Sequence, residues 1–198
     1  MGEDKPDRRS LEEIIYEVYR TTQDLELGCA ELNCFMCAKG GKKEPECSKL
    51  NEAVVLLPGE NRIIEELNGA AFPEVNLNGM SVGFLLPEQD CPFNRDGWCG
   101  IHGKHPIDCR SYPIVPSINE RGDLIISISV KCPATPSWNF IRTWVEIWRK
   151  LWEVVPEEWF KFYSEVPTNL LKPIVRFKAE EKSTIIPTSV ANTNQDKV

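Results

Sequence analysis

Apolar positions recur along this chain with two different periods, and the places where the period changes mark its elements. Leu11, Ile14, Ile15 and Val18 stand at helical spacing behind Ser10 and Glu13, a capping-box pair, so a helix is expected from Leu11 to near Thr21. From Leu50 to Leu57 the run is apolar and rich in β-branched residues until Pro58-Gly59 stops it, as in a buried strand or the approach to a helix. Residues 60–68 read as a short helix buried through Ile63, Ile64 and Leu67 and closed by Gly69. After Pro73 the period drops to two. Val75 and Leu77 face Val82 and Phe84 across Asn78-Gly79, the dipeptide best suited to a tight hairpin. A second hairpin is expected from Ile114 and Val115 against Leu124, Ile126, Ile128 and Val130, with Asn119 to Gly122 as its turn. Helical spacing returns over 137–155, where Ile141, Trp144, Val145, Trp148, Leu151, Trp152 and Val155 share a face, and resumes after Pro156.

These elements describe an α+β protein with four to five helices, two short β-hairpins and a tryptophan-rich helical pair at the C-terminal end. Five of the six tryptophans fall in that pair, which reads first as the wall of a core and second as a ligand pocket or a face for a protein partner. Residues 1–9 read as a polar leader and 10–172 as one domain. Beyond about Pro173 the aliphatic content falls, and 173–198 reads as a disordered tail.

The stretch between the hairpins fits neither period. In residues 91–113, CPFNRDGWCGIHGKHPIDCRSYP, the intervals between Cys91, Cys99 and Cys109 are eight and ten residues, which suits neither a helix stripe nor an alternating strand. A loop rich in glycine and proline cannot be fixed by burial alone, whereas a cation held by thiolates fixes one backbone position per sulfur bond. The chain has eight cysteines in two groups: Cys29, Cys34, Cys37 and Cys47, then Cys91, Cys99, Cys109 and Cys132. In the first group the CxxC of Cys34 and Cys37 lets both sulfurs reach one metal. The second hairpin would bring Cys132 back to the cysteines before it. Lys39, Lys42 and Lys43 beside Gly40 and Gly41 could form an anion-binding loop but read first as a solvated basic loop, because no phosphate-loop pattern accompanies them.

Charge and length narrow the setting. A net charge of −7 at pH 7 and a pI near 5.0 argue against nucleic-acid binding, which usually needs a basic face. No apolar run approaches the length of a membrane span, and MGEDKPDRRS lacks a signal peptide's apolar stretch, so a cytoplasmic protein is expected. In a reducing compartment eight clustered cysteines read as ligands rather than as disulfides. Four thiolates suit structural zinc as well as a [4Fe–4S] cluster. Cys91-Pro92 and Cys132-Pro133, with the wide spacings, tilt the expectation towards iron–sulfur. His102 and His105 could ligate or donate to sulfur, although eight cysteines make them unnecessary as ligands.

The motif Cys91-Pro92-Phe93, Cys99-Gly100-Ile101, then His105-Pro106-Ile107-Asp108-Cys109-Arg110-Ser111-Tyr112-Pro113 resembles the cysteine-cluster family of the YkgJ type, a zinc- or iron-chelating domain. The resemblance covers roughly 29–133 and includes a matching total of eight cysteines. It departs at the first group, where the family has CxxCxxCC, and at His105, where the family has arginine. It implies a centre held by the eight cysteines, with Arg110 beside the anionic thiolates and Tyr112 locking the loop with Pro113. It also brings in a distant likeness to flagellin lysine N-methylases, hence an alternative as an S-adenosylmethionine-dependent modification enzyme that uses an iron–sulfur cluster. A structural-zinc interaction module is the other alternative. No glycine-rich methyl-donor turn or nucleophile–base pair appears in the sequence.

Overall fold

The computed structural model describes residues 9–25, 27, 53–86, 89–95, 98–130, 132, 135–166 and 171–182. Among these residues the chain forms five α-helices, two three-stranded antiparallel sheets and one two-stranded ladder, an α+β architecture.

Helix α1 (Leu11–Thr21) starts at a complete capping box: Ser10 Oγ accepts from Glu13 N–H, and the Glu13 side chain accepts from Ser10 N–H. Its apolar face buries Ile15, Val18 and Tyr19. Strand β1 (Val54–Val55) is fully interior, which decides the earlier alternative in favour of a buried strand. It pairs with β3 (Met80–Leu85), whose other neighbour is β2 (Glu74–Leu77), in the order β1-β3-β2. The β2–β3 turn is Asn78-Gly79, both at positive φ (51° and 88°), as a tight hairpin of right-handed twist requires.

Helix α2 (Glu60–Asn68) lies between Gly59 and Gly69, both in the left-handed region. Its inward face differs from the expected one. Glu60 and Asn61 join Ile63 and Ile64 inside, while Leu67 is left exposed. The reason is polar: Asn61 bonds both the N–H and the C=O of Phe72, and Glu60 collects three donors, so these two side chains are buried with partners.

The second sheet has the order β6 (Ile114–Ile118), β7 (Leu124–Ser129), β8 (Leu171–Phe177). The β6–β7 hairpin has the expected register, Ile114 opposite Ile128, but β7 stops at Ser129 and leaves Val130 exposed. Strand β8 corrects the sequence reading: the boundary drawn at 173 falls inside it, and a 3₁₀ turn at Ala179–Glu181 follows. Pro173 sits at the register shift against Ser127 on an edge strand, where a residue without an N–H is tolerated. Asp123 in the β6–β7 turn secures the end of β8 by accepting from the Arg176 guanidinium and from Ala179 N–H. Those bonds hold its carboxyl down at about 2.

Helices α4 (Trp138–Val154) and α5 (Glu157–Glu165) cover this sheet, with α5 against β6 and α4 against β6 and β7. Trp144, Trp148, Trp152 and Trp159 are all buried. Trp159 Nε1 donates to Leu56 O at 2.7 Å, which fastens α5 to the end of β1. The tryptophan pair is therefore largely wall, and of its five tryptophans Trp138 alone is exposed, at 77%. Trp138→Ser is expected to change folding stability by less than about 0.5 kcal/mol in urea unfolding, because it removes no buried contact. No helix among the described residues is long and apolar enough to cross a membrane.

Candidate metal centre

Residues 89–113 form the part of the chain where hydrogen bonds replace regular structure. Strands β4 (Asn94–Arg95) and β5 (Trp98–Cys99) make a ladder of two pairs, Asn94 opposite Cys99 and Arg95 opposite Trp98. Gly100 N–H extends it by donating to Phe93 O at 2.8 Å. A Cβ on Gly100 would lie 3.0 Å from that same carbonyl, so glycine after Cys99 lets the two arms close. Phe93 is buried against Phe72, with ring centroids 5.3 Å apart. The turn 101–105 follows, then the single-turn helix α3 (Ile107–Ser111), which carries Cys109.

Cys91, Cys99, Cys109 and Cys132 are each half-buried, and no disulfide joins any two of them. Cys91, Cys99 and Cys109 pack against the edge of the hydrophobic core. Burial pushes the Cys99 thiol up against the lowering effect of Ile101 N–H, and the neighbouring Cys91 sulfur adds to the rise. Burial and then Glu60 keep the Tyr19 hydroxyl protonated, and the nearby Cys109 sulfur adds to this. The β6–β7 hairpin closes three residues before Cys132: Ser129 N–H donates to Pro113 O at 2.8 Å, and the buried Tyr112 hydroxyl meets Ser129 Oγ at 3.2 Å. Tyr112, followed by a cis Pro113, thus ties the end of α3 to the strand end three residues before Cys132.

Arg110 acts through geometry. Its side chain is 8% exposed and stacks over the Tyr19 ring at 4.4 Å. It donates to Tyr19 O, Thr22 Oγ1 and His105 O at 3.3, 2.8 and 3.0 Å, and also to Gly103 O. The guanidinium therefore staples the cysteine loop to the C-terminal turn of α1. His105 belongs to the same staple. Its Nδ1 accepts from Gly103 N–H at 3.1 Å and its ring stacks on His102 at 5.2 Å. Burial, then Arg110 and His102, hold it neutral down to about 3. A neutral imidazole that accepts at Nδ1 carries its proton on Nε2, which leaves no lone pair for a metal in this arrangement.

Two buried carboxylates complete the frame, and the sequence pattern did not single them out. Glu60 accepts from Tyr19 Oη, Ile107 N–H and Leu57 N–H at 2.9, 2.7 and 2.8 Å. Asp108 accepts from Val55 N–H at 3.0 Å and Tyr163 Oη at 2.5 Å. Both serve the backbone around Cys109. Neither spacing nor period brings residue 60 to residue 107; the visible signal was an acid at the head of each of two short helices.

The donor set is suited to a soft or borderline cation, since it consists of sulfur atoms at the rim of an apolar core. Among the described residues no three Cys, His, Asp or Glu side chains stand together as a group that could hold an ion. Cys29, Cys34, Cys37 and Cys47 lie outside the described residues, as do the lysines and glycines between them. No protein-family model, no curated protein and no solved structure matches this chain.

Proposed function

We propose that this chain is a metal-binding cysteine-cluster protein of the kind its motif resembles, with an iron–sulfur cluster favoured over zinc and with Cys91, Cys99, Cys109 and Cys132 among the ligands. The observation that carries the reading is the Cys91–Cys99 pair: two half-buried sulfurs close enough that Cys91 adds to the burial that raises the Cys99 thiol, on a ladder that Gly100 N–H closes onto Phe93 O. A cation overcomes that rise by taking both as thiolates, with release of their protons. Cys29, Cys34, Cys37 and Cys47 are the remaining ligands of the proposal, and a cytoplasmic setting goes with it.

In this reading Arg110 and Tyr112 are outer residues that hold the loop: Arg110 anchors it to α1 and Tyr112 ties its end to β7. A bound cluster would supply one-electron chemistry, and zinc would supply a fixed cross-link. A second reading, a structural-zinc module that docks a protein, is favoured by Trp138 at 77% and Val130 at 55% exposure on either side of Cys132.

The test is anaerobic purification followed by an absorption spectrum and by iron, zinc and acid-labile sulfide analysis of one sample. Brown protein with matched iron and sulfide is expected. Colourless protein with stoichiometric zinc would move the conclusion to the second reading. Single Cys→Ser changes at positions 91, 99 and 109 are expected to lower metal content severalfold each, and metal content indifferent to all three would remove the proposal.

A further inference from the structure

Helix α3 has five residues, too few to hold a helix by its own hydrogen bonds. Its position is set by the partners on either side of Cys109. On the N-terminal side Ile107 N–H is bonded to Glu60, and Asp108 to Val55 and Tyr163. On the C-terminal side Arg110 is bonded to Tyr19 and Thr22 of the α1 end. Tyr163 carries the connection inwards. Its ring lies 5.0 Å from that of Trp159 at 28° and 6.4 Å from that of Trp148, and the two indoles are 6.2 Å apart at 20°. From Cys109 to the stacked indoles there is one covalent step to Asp108, one charge-assisted hydrogen bond and one ring contact.

We propose that Tyr163 is a positioning residue for Cys109 and that this route couples the state of the thiol to the tryptophan stack. The inference rests on the metal-binding reading above. When Cys109 moves to meet a cation, α3 moves with it. Asp108 then draws on the Tyr163 hydroxyl, and a close-packed interior converts that pull into a changed overlap with Trp159. The chemistry at the loop is thereby reported inside α4 and α5.

The experiment uses the full chain with Trp98→Phe, because Trp98 precedes Cys99 and would sense a metal directly. Chelator-stripped protein is titrated anaerobically with Zn²⁺, reading tryptophan emission, and separately with Co²⁺, reading thiolate-to-cobalt absorption. Zinc is expected to shift the emission. Tyr163→Phe keeps the ring and removes the hydroxyl; it is expected to abolish the shift and weaken cobalt binding by about 10- to 100-fold, the usual effect of losing an outer partner of a ligand. Ser164→Ala, which removes a hydrogen bond to Ile118 N–H from the same helix, controls for lost stability and is expected to leave the shift in place.

Cobalt absorption without any zinc-induced emission change overturns the inference and leaves the metal reading intact. A shift of equal size in Tyr163→Phe also overturns it. Absence of cobalt–thiolate absorption in every variant overturns both. Amide exchange in α5 with and without zinc repeats the test on the unsubstituted chain: unchanged protection at Tyr163 counts against the coupling.

Discussion

Urea unfolding of Arg110→Ala is expected to show about 3–5 kcal/mol less stability than the unsubstituted protein, and Arg110→Lys to recover less than half of that. The guanidinium is buried, bonds acceptors on α1 and on the 103–105 turn, and covers the Tyr19 ring. Truncation leaves three carbonyls and a hydroxyl without their donor in an interior that water reaches poorly. Lysine restores the charge, but its single ammonium cannot span acceptors placed for a planar fork. Equal stability of Arg110→Lys and the unsubstituted protein would mean that Arg110 serves as a charge beside the thiolates, as its motif first implied, and not as a clamp.

The second large effect is a pH dependence carried by Glu60. Burial raises its carboxyl from 4.5 to about 7, against the lowering effect of Ile107 N–H, Leu57 N–H and Tyr19 Oη, with Asp108 adding to the rise. Above pH 4.5 the unfolded chain releases this proton while the folded one still holds it. The associated stability is therefore fully present below 4.5 and is lost as pH rises to about 7, on the order of 3 kcal/mol at about 1.4 kcal/mol per pH unit. His105 works in the opposite sense. Its folded value of about 3 lies below the ordinary 6.5, so its contribution is present above 6.5 and is lost as pH falls towards 3. Because the two overlap, the clean measurement is the difference between Glu60→Gln and the unsubstituted protein across pH 4.5–8. The glutamine variant, with an amide hydrogen facing a donor, is expected to be less stable at pH 4.5, and the gap to narrow as pH rises. Parallel curves would show that Glu60 is ionised throughout.

Where local chemistry determines structure, the sequence was legible. The Ser10–Glu13 box, the Asn78-Gly79 turn, Gly69 after its helix and the period of the tryptophan helix all lie where pattern reading put them. The tail at Pro173 was misread because low aliphatic content describes an edge strand with one exposed face as well as it describes a solvated segment. Around the candidate centre, the cysteines announced themselves by residue type and spacing, and Arg110 and Tyr112 through the motif's resemblance to a known family. Glu60, Asp108 and Tyr163 did not, since each acts through partners 41 to 55 residues away, and no periodicity encodes a hydrogen bond of that span. Leu67 failed for a related reason: helical spacing predicts a stripe, and two buried polar side chains rotated that stripe towards Glu60 and Asn61.

The bond from Trp159 to Leu56 spans 103 residues, and Arg110 reaches back 91 to Tyr19. Seen from a ribosome, the first half of this protein is made well before the groups that complete it. Until α5 has emerged, the Leu56 carbonyl lacks its indole donor, Asp108 lacks the Tyr163 hydroxyl, and the face of the second sheet that α5 packs on lacks that cover. Contacts of such long range make folding slow and late, because loop closure is unfavourable before any of them forms. A nascent chain in this state would present its cysteines before it has an interior.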